Sequence, residues 1–158
     1  MDIARVDVKE GSEAPDFQLT SRDGVPINLS DFKGKRNLVI YFYPRDFTPG
    51  CTIEASEFTR DYNLFLEKNI EIVGISPDND ISHNKFRQSI NIPYLLVSDE
   101  DHRISKIYGA WGLKKFMGKE SMGITRSTFL IDINGKIFKV FKKVKSEGHS
   151  REILDCFN

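Results

Sequence analysis

Cys51 lies in the run Tyr43-Pro44-Arg45-Asp46-Phe47-Thr48-Pro49-Gly50-Cys51-Thr52-Ile53-Glu54, and its neighbours make it the residue best placed to do chemistry. An apolar run, Leu38-Val39-Ile40-Tyr41-Phe42-Tyr43, feeds a turn of Pro and Gly, and the cysteine follows where a helix is expected to begin. The first N–H groups of a helix have no intrahelical partner and carry partial positive charge, which favours a thiolate nucleophile. Pro49 suits the first helical position, so Thr48 fits an N-cap and equally a hydroxyl donor to the sulfur. Glu54 is three residues after Cys51 on the same helical face, where an unpaired carboxylate opposes an anionic sulfur. Plainer roles stand beside these: Cys51 as a small buried hydrophobe, Thr48 as a cap alone, Pro44 as a strand terminator, Glu54 as a surface acid.

The elements that must position these residues alternate along the chain. Strand-like runs at 17–20 and 25–28 flank Asp23-Gly24, a hairpin signal, and Ser30 to Gly34 reads as one helical turn with a Ser cap and a Gly stop. After the strand at 38–43, Ile53, Phe58, Tyr62, Phe65 and Leu66 recur at helical spacing, predicting a helix over 49–68. The β-branched run 70–76 is a second buried strand. A helix over 81–90, a strand over 94–98 and a short helix over 103–108 follow. Strands at 127–132 and 136–141 flank Asn134-Gly135, a second hairpin signal, and a helix over 149–157 closes the chain. The β-α-β-α-β order favours parallel pairing through right-handed crossovers, and the β-β-α end is antiparallel, so the fold class is α/β.

At 158 residues the chain is the size of one domain, expected over 1–158. With 23 Lys+Arg against 23 Asp+Glu there is no basic bias, so a nucleic-acid partner is not expected. The lysines at 136, 139, 142, 143 and 145 read as a solvated hairpin edge guarded against aggregation. No apolar stretch is long enough for a membrane span, and Met1 to Gly11, with Ile3, Val6 and Val8 among charges, lacks a signal-peptide core. A cytoplasmic protein is expected. Two cysteines do not make a disulfide scaffold, and no Cys/His pair has zinc-ligand spacing.

Pro44, Thr48 and Cys51 reproduce the Pro-x-x-x-Thr-x-x-Cys signature of the peroxiredoxins, and the resemblance spans nearly the whole chain. Gly11-Ser12-Glu13-Ala14-Pro15-Asp16-Phe17 looks like that family's opening segment. Gly50-Cys51-Thr52 with Glu54 and Phe58 resembles its bacterioferritin comigratory protein, or peroxiredoxin Q, branch. So do Tyr108-Gly109, Trp111-Gly112, Lys114-Lys115, Met122-Gly123-Ile124, Arg126 to Asp132, and Gly148-His149. The resemblance implies a thioredoxin-like fold: a mixed central β-sheet with helices on both faces and an N-terminal β-hairpin extension. It implies a thiol-dependent peroxidase in which Cys51 reduces hydrogen peroxide or an organic hydroperoxide and becomes a sulfenic acid. An external thiol, such as a thioredoxin-like protein, restores it in antioxidant defence. Arg126 is implied to bring a fixed positive charge to the sulfur and to stabilise the leaving oxygen. Glu54 is implied to pair with Arg126, Thr48 Oγ1 to donate to the sulfur, and Pro44 to shield it from water. No metal or organic cofactor is needed, because sulfur carries both electrons. The branch's habit favours a monomer, with a dimer possible.

The chain departs from the branch at Ser56. Many members carry a second, resolving cysteine there, five residues after the first. Its absence removes the local disulfide route. The remaining thiol, Cys156, is either a resolving cysteine, within the chain or across a dimer, or a packing residue beside Leu154 or Phe157. Trp111 and Phe116 fit a pocket wall or core. A thiol-disulfide oxidoreductase normally has Cys-x-x-Cys, which Cys51 lacks, and a redox sensor without turnover is separated by steady peroxide consumption.

Overall fold

The computed structural model describes residues 8–20 and 24–157. Asp23 of the first hairpin signal and residues 1–7 of the N-terminal segment lie outside them. Strands β1 (Gln18–Thr20) and β2 (Pro26–Asn28) pair antiparallel, as an N-terminal hairpin requires. A single 3-10 turn, Leu29–Phe32, follows. Ser30 does not cap it: the Ser30 hydroxyl donates to Asp16 Oδ2 (2.8 Å), and Asn28 N donates to Asp31 Oδ2 (2.9 Å).

The central sheet has five strands in the order β5-β4-β3-β8-β9. Here β3 is Asn37–Phe42, β4 Ile70–Ser76, β5 Leu95–Ser98, β8 Ser127–Ile131 and β9 Ile137–Phe141. Strands β3, β4 and β5 run parallel, while β8 is antiparallel to β3 and to β9. The steps β3 to β4 and β4 to β5 go the same way across the sheet. Right-handed crossovers therefore put their helices, α1 (Pro49–Glu67) and α2 (Asp80–Ile90), on one face. The last helix, α4 (His149–Cys156), packs beside α1 on that face. The short α3 (Arg103–Ile107), the 3-10 turn and the first hairpin cover the other.

Alternation along β3 serves both faces. Leu38, Ile40 and Phe42 join the core under α3 and the hairpin; Val39, Tyr41 and Tyr43 join the core under α1, with Cys51, Ala55, Phe58 and Phe65. A strand buried on both sides reads as a continuous apolar run, which is why 38–43 is so legible in the sequence. Each such side chain, fully buried, contributes roughly 1.5–3 kcal/mol. Gly74 on β4 is required by close approach: a Cβ there would lie 2.9 Å from Tyr41 Oη, whose hydroxyl is 2.6 Å from that of Tyr94.

One element is new. Strands β6 (Trp111–Phe116) and β7 (Lys119–Ile124) form a separate antiparallel hairpin. Its turn is Met117-Gly118, both with positive φ (52° and 80°), in place of the Asn-Gly or Asp-Gly that announces such turns. Among the described residues, no helix is long and apolar enough to cross a membrane.

Candidate active site

β3, the central strand, ends at Phe42, and residues 43–48 turn the chain into α1. The first helical hydrogen bond runs from Thr52 N to Thr48 O (2.9 Å), so the Gly50 and Cys51 N–H groups precede it, at the positive end of a 19-residue helix. The buried residues of α1, namely Cys51, Glu54, Ala55, Phe58, Asp61 and Phe65, recur at three- and four-residue spacing. Burying Phe58 and Phe65 therefore turns Cys51 and Glu54 inward as well, and each is 1% exposed.

Arg126, in the loop before β8, reaches both. Its Nη2 is 3.2 Å from Cys51 Sγ, and its Nη1 donates to Glu54 Oε1 at 2.6 Å. One guanidinium thus bridges the thiol and the carboxylate expected beside it. Burial raises the Glu54 carboxyl to about 7, against the charge and hydrogen bond of Arg126, which pull it down. Glu54 Oε2 is buried with no hydrogen-bond partner among the described residues. For Arg126, burial works against the cation, but Glu54 and Cys51 outweigh it and hold the guanidinium above its ordinary value. Beneath Glu54, burial pushes the Tyr41 and Tyr94 hydroxyls well up, and the Glu54 charge adds to both, so they remain neutral supports.

Three residues near Arg126 have contacts that the sequence does not reveal. A Cβ on Gly50 would lie 2.8 Å from Ser146 Oγ and 3.2 Å from Arg126 Nη2, so any larger residue there would push the Ser146 hydroxyl and the guanidinium aside. Ser146 arrives because the segment after β9 is tied to Arg126 itself, Val144 N donating to Arg126 O (3.1 Å). Nothing local marks Ser146. The third residue is His149, whose Nε2 is 2.8 Å from Thr128 Oγ1 and whose Nδ1 is 2.8 Å from Glu152 Oε1. Its pKa is lowered, chiefly by burial, with the Arg126 charge acting the same way.

Thr48 stands at the N-cap position, yet its hydroxyl donates to Arg45 O (2.9 Å), neither to the sulfur nor to the helix. The hydroxyl's single proton closes the loop, and the carbonyl of Thr48 receives both Thr52 N and Thr52 Oγ1 (2.8 Å). Pro44 lies two residues past the end of β3. It lines an open cleft of about 430 Å³ with Trp111, Lys114, Met122 and Ile124. Trp111 also stacks on His102, ring centroids 3.8 Å apart.

Ser56 is half-buried on α1. Cys156 is exposed at the end of α4, with Sγ 3.5 Å from Glu152 O, so it is not the packing residue considered from the sequence. Its neighbour Phe157 packs on Phe138 (ring centroids 5.0 Å), beside Lys139, whose partner on β8 is Leu130. That is four residues beyond Arg126, about 13 Å along the strand. Partial desolvation raises the Cys156 thiol pKa, Glu152 and Asp155 adding to it and Lys139 opposing.

The chain matches the AhpC/TSA family model over residues 11–140. It is 46% identical over 147 residues to peroxiredoxin Bcp of Bacillus subtilis, covering 93% of each chain. Its fold superposes on a Cys-to-Ser mutant of Xylella fastidiosa PrxQ with a TM-score of 0.87, at 31% identity and 96% coverage of both. The bacterioferritin comigratory protein of Xanthomonas campestris, whose structures address its alkyl peroxide reduction activity, is 34% identical with a TM-score of 0.83 over 89% of each chain.

Proposed function

This chain belongs to the AhpC/TSA family, in its Bcp/peroxiredoxin Q group of thiol-dependent peroxidases, and from that premise we propose that Cys51 is the peroxidatic nucleophile. The observation that carries this reading is Arg126 Nη2 at 3.2 Å from a sulfur buried at the positive end of α1. The Cys51 thiolate attacks one oxygen of ROOH. The S–O bond forms as the O–O bond breaks, sulfur gives up two electrons, and RO⁻ leaves to take a proton as ROH. Arg126, fixed in orientation by Glu54, faces the site where charge gathers on the leaving oxygen, and the Gly50 and Cys51 N–H groups lie beside it. Thr48 shapes this start of the helix by holding Arg45 O, and Pro44 closes the side toward the cleft.

The resulting sulfenic acid is returned to thiol by an external dithiol. The first sulfur displaces water to give a mixed disulfide and the second releases Cys51. A thioredoxin-like protein fits that chemistry. Ser56 excludes the local disulfide, and Cys156 lies at the far end of β8 with a raised pKa, so the folded monomer works as a one-cysteine enzyme. Organic hydroperoxides join hydrogen peroxide as substrates. The X. campestris relative's alkyl peroxide reduction and the apolar side chains around Pro44 support this. We place this activity in one domain, working as a monomer in the cytoplasm. The test is the non-reducing, denatured intact mass after one equivalent of hydrogen peroxide. One oxygen gained on a monomer and mapped to Cys51 is expected. Loss of two hydrogens or a linked dimer refutes the one-cysteine cycle, and no change refutes Cys51 as nucleophile.

A further inference from the structure

Asp46, five residues before Cys51, is a loop carboxylate only 4% exposed. Burying a carboxylate is unfavourable unless its oxygens are satisfied, and here every side of it is used. Tyr43 Oη donates to Oδ1 (2.7 Å), Ser82 Oγ donates to Oδ2 (2.8 Å), and His83 Nδ1 lies 2.8 Å from Oδ2. The Asp46 N–H donates to Asp78 Oδ2 (2.7 Å), which also accepts from Ser76 Oγ (2.7 Å). His83, 2% exposed on α2, has Nε2 3.1 Å from the Val97 carbonyl, so that nitrogen donates and fixes the ring. Asp46, Asp78 and His83 bring one ligand atom each within 4.8 Å of one another, but those atoms are already hydrogen-bonded within the network.

The network grips a strained loop. Phe47 has φ of +67°, a left-handed conformation that a bulky side chain adopts only when its surroundings impose it. Its ring, half exposed, packs on Phe86 of α2 with centroids 5.2 Å apart. Phe47 lies between the anchored Asp46 and Thr48, and from Thr48 the helix carrying Cys51 starts. We propose that Asp46 and His83 form a latch between α2 and the reactive loop, positioning residues that hold Cys51 buried against Arg126. This inference rests on the peroxidase reading above.

The latch makes two rates move in opposite directions. Asp46→Asn keeps the shape and removes the charge that accepts from Tyr43 and Ser82 and faces His83 Nδ1. With the loop loosened, Cys51 leaves the guanidinium and meets solvent. Its single-turnover rate with hydrogen peroxide falls about tenfold or more, since a misplacement near 1 Å costs on the order of 100-fold. Its alkylation by iodoacetamide, followed on the Cys51 peptide by mass, rises at least about threefold as burial is lost. A merely structural role lowers thermal stability and leaves both rates of the folded enzyme within about twofold of the parent, and that result overturns the latch. Should Asp46→Asn fail to fold, Ser82→Ala removes one of the two hydroxyl donors to Asp46. The same opposed changes, smaller in size, are expected, and unchanged rates overturn the proposal. A parent protein whose Cys51 does not react with peroxide refutes the peroxidase reading instead.

Discussion

Replacing Arg126 by Met removes the positive charge 3.2 Å from Cys51 Sγ while keeping most of the side chain's apolar stem. At 3.2 Å, two unit charges attract by about 5 kcal/mol at an effective dielectric constant near 20. The part expressed in the rate is the part preorganised for the transition state, and removing one such donor costs about 3–4 kcal/mol, or roughly 100- to 1000-fold. The second-order rate of Cys51 oxidation by hydrogen peroxide, read by rapid quenching and mass of the trapped thiol, falls by that factor. Arg126→Met also strips the buried Glu54 of its partner, so stability falls too, and a rate loss alone does not separate the two effects. Combining it with Glu54→Gln does. The double variant loses the stranded carboxyl and recovers stability in denaturant unfolding, while its peroxide rate stays as low as that of Arg126→Met. The two residues touch, so their effects on stability are not additive. An Arg126→Met enzyme that reacts within about threefold of the parent refutes the role of the guanidinium.

Glu54 predicts a pH dependence of stability. Its carboxyl moves from an ordinary 4.5 to about 7 on folding. Between those values the folded protein keeps a proton that the unfolded chain has released, so this contribution is full below pH 4.5 and lost as pH rises through about 7. The displacement corresponds to about 3 kcal/mol; Glu54→Gln abolishes that slope in unfolding free energy between pH 4.5 and 7.5, and an unchanged slope refutes the assignment. Gly50→Ala places a Cβ 3.2 Å from Arg126 Nη2 and 2.8 Å from Ser146 Oγ. Peroxide reactivity drops roughly tenfold with stability within about 1 kcal/mol of the parent, because alanine suits a helix better than glycine while the guanidinium is displaced. Cys156→Ser leaves steady peroxide turnover with an external dithiol unchanged, and a substantial loss in the coupled assay establishes a resolving role. Gly74→Ala drives a methyl into Tyr41 and lowers stability by about 1–3 kcal/mol, measured by denaturant midpoint.

The sequence by itself determined most of the elements and singled out Cys51 as the candidate nucleophile. Runs such as 38–43 and 70–76, buried on both faces, and the three- and four-residue recurrence from Cys51 to Phe65 are periodic signals that neighbouring residues set on their own. Cys51, Thr48, Glu54 and Pro44 lie within eleven residues, so their grouping is local too. The β6–β7 hairpin was invisible because its turn uses Met117 at positive φ, where sequence reasoning looks for Asn, Asp or Gly. Arg126 could be tied to the site only through resemblance, being 75 residues from Cys51, and its contact with the sulfur was decided by β8 pairing beside β3. Tertiary structure likewise turned Thr48 Oγ1 toward Arg45 O, left Cys156 exposed at the end of α4, and brought Ser146 to Gly50 and His83 to Asp46. Periodicity records which way a side chain faces within one element. Which partner it meets depends on how distant elements close on one another, and no spacing along the chain encodes that.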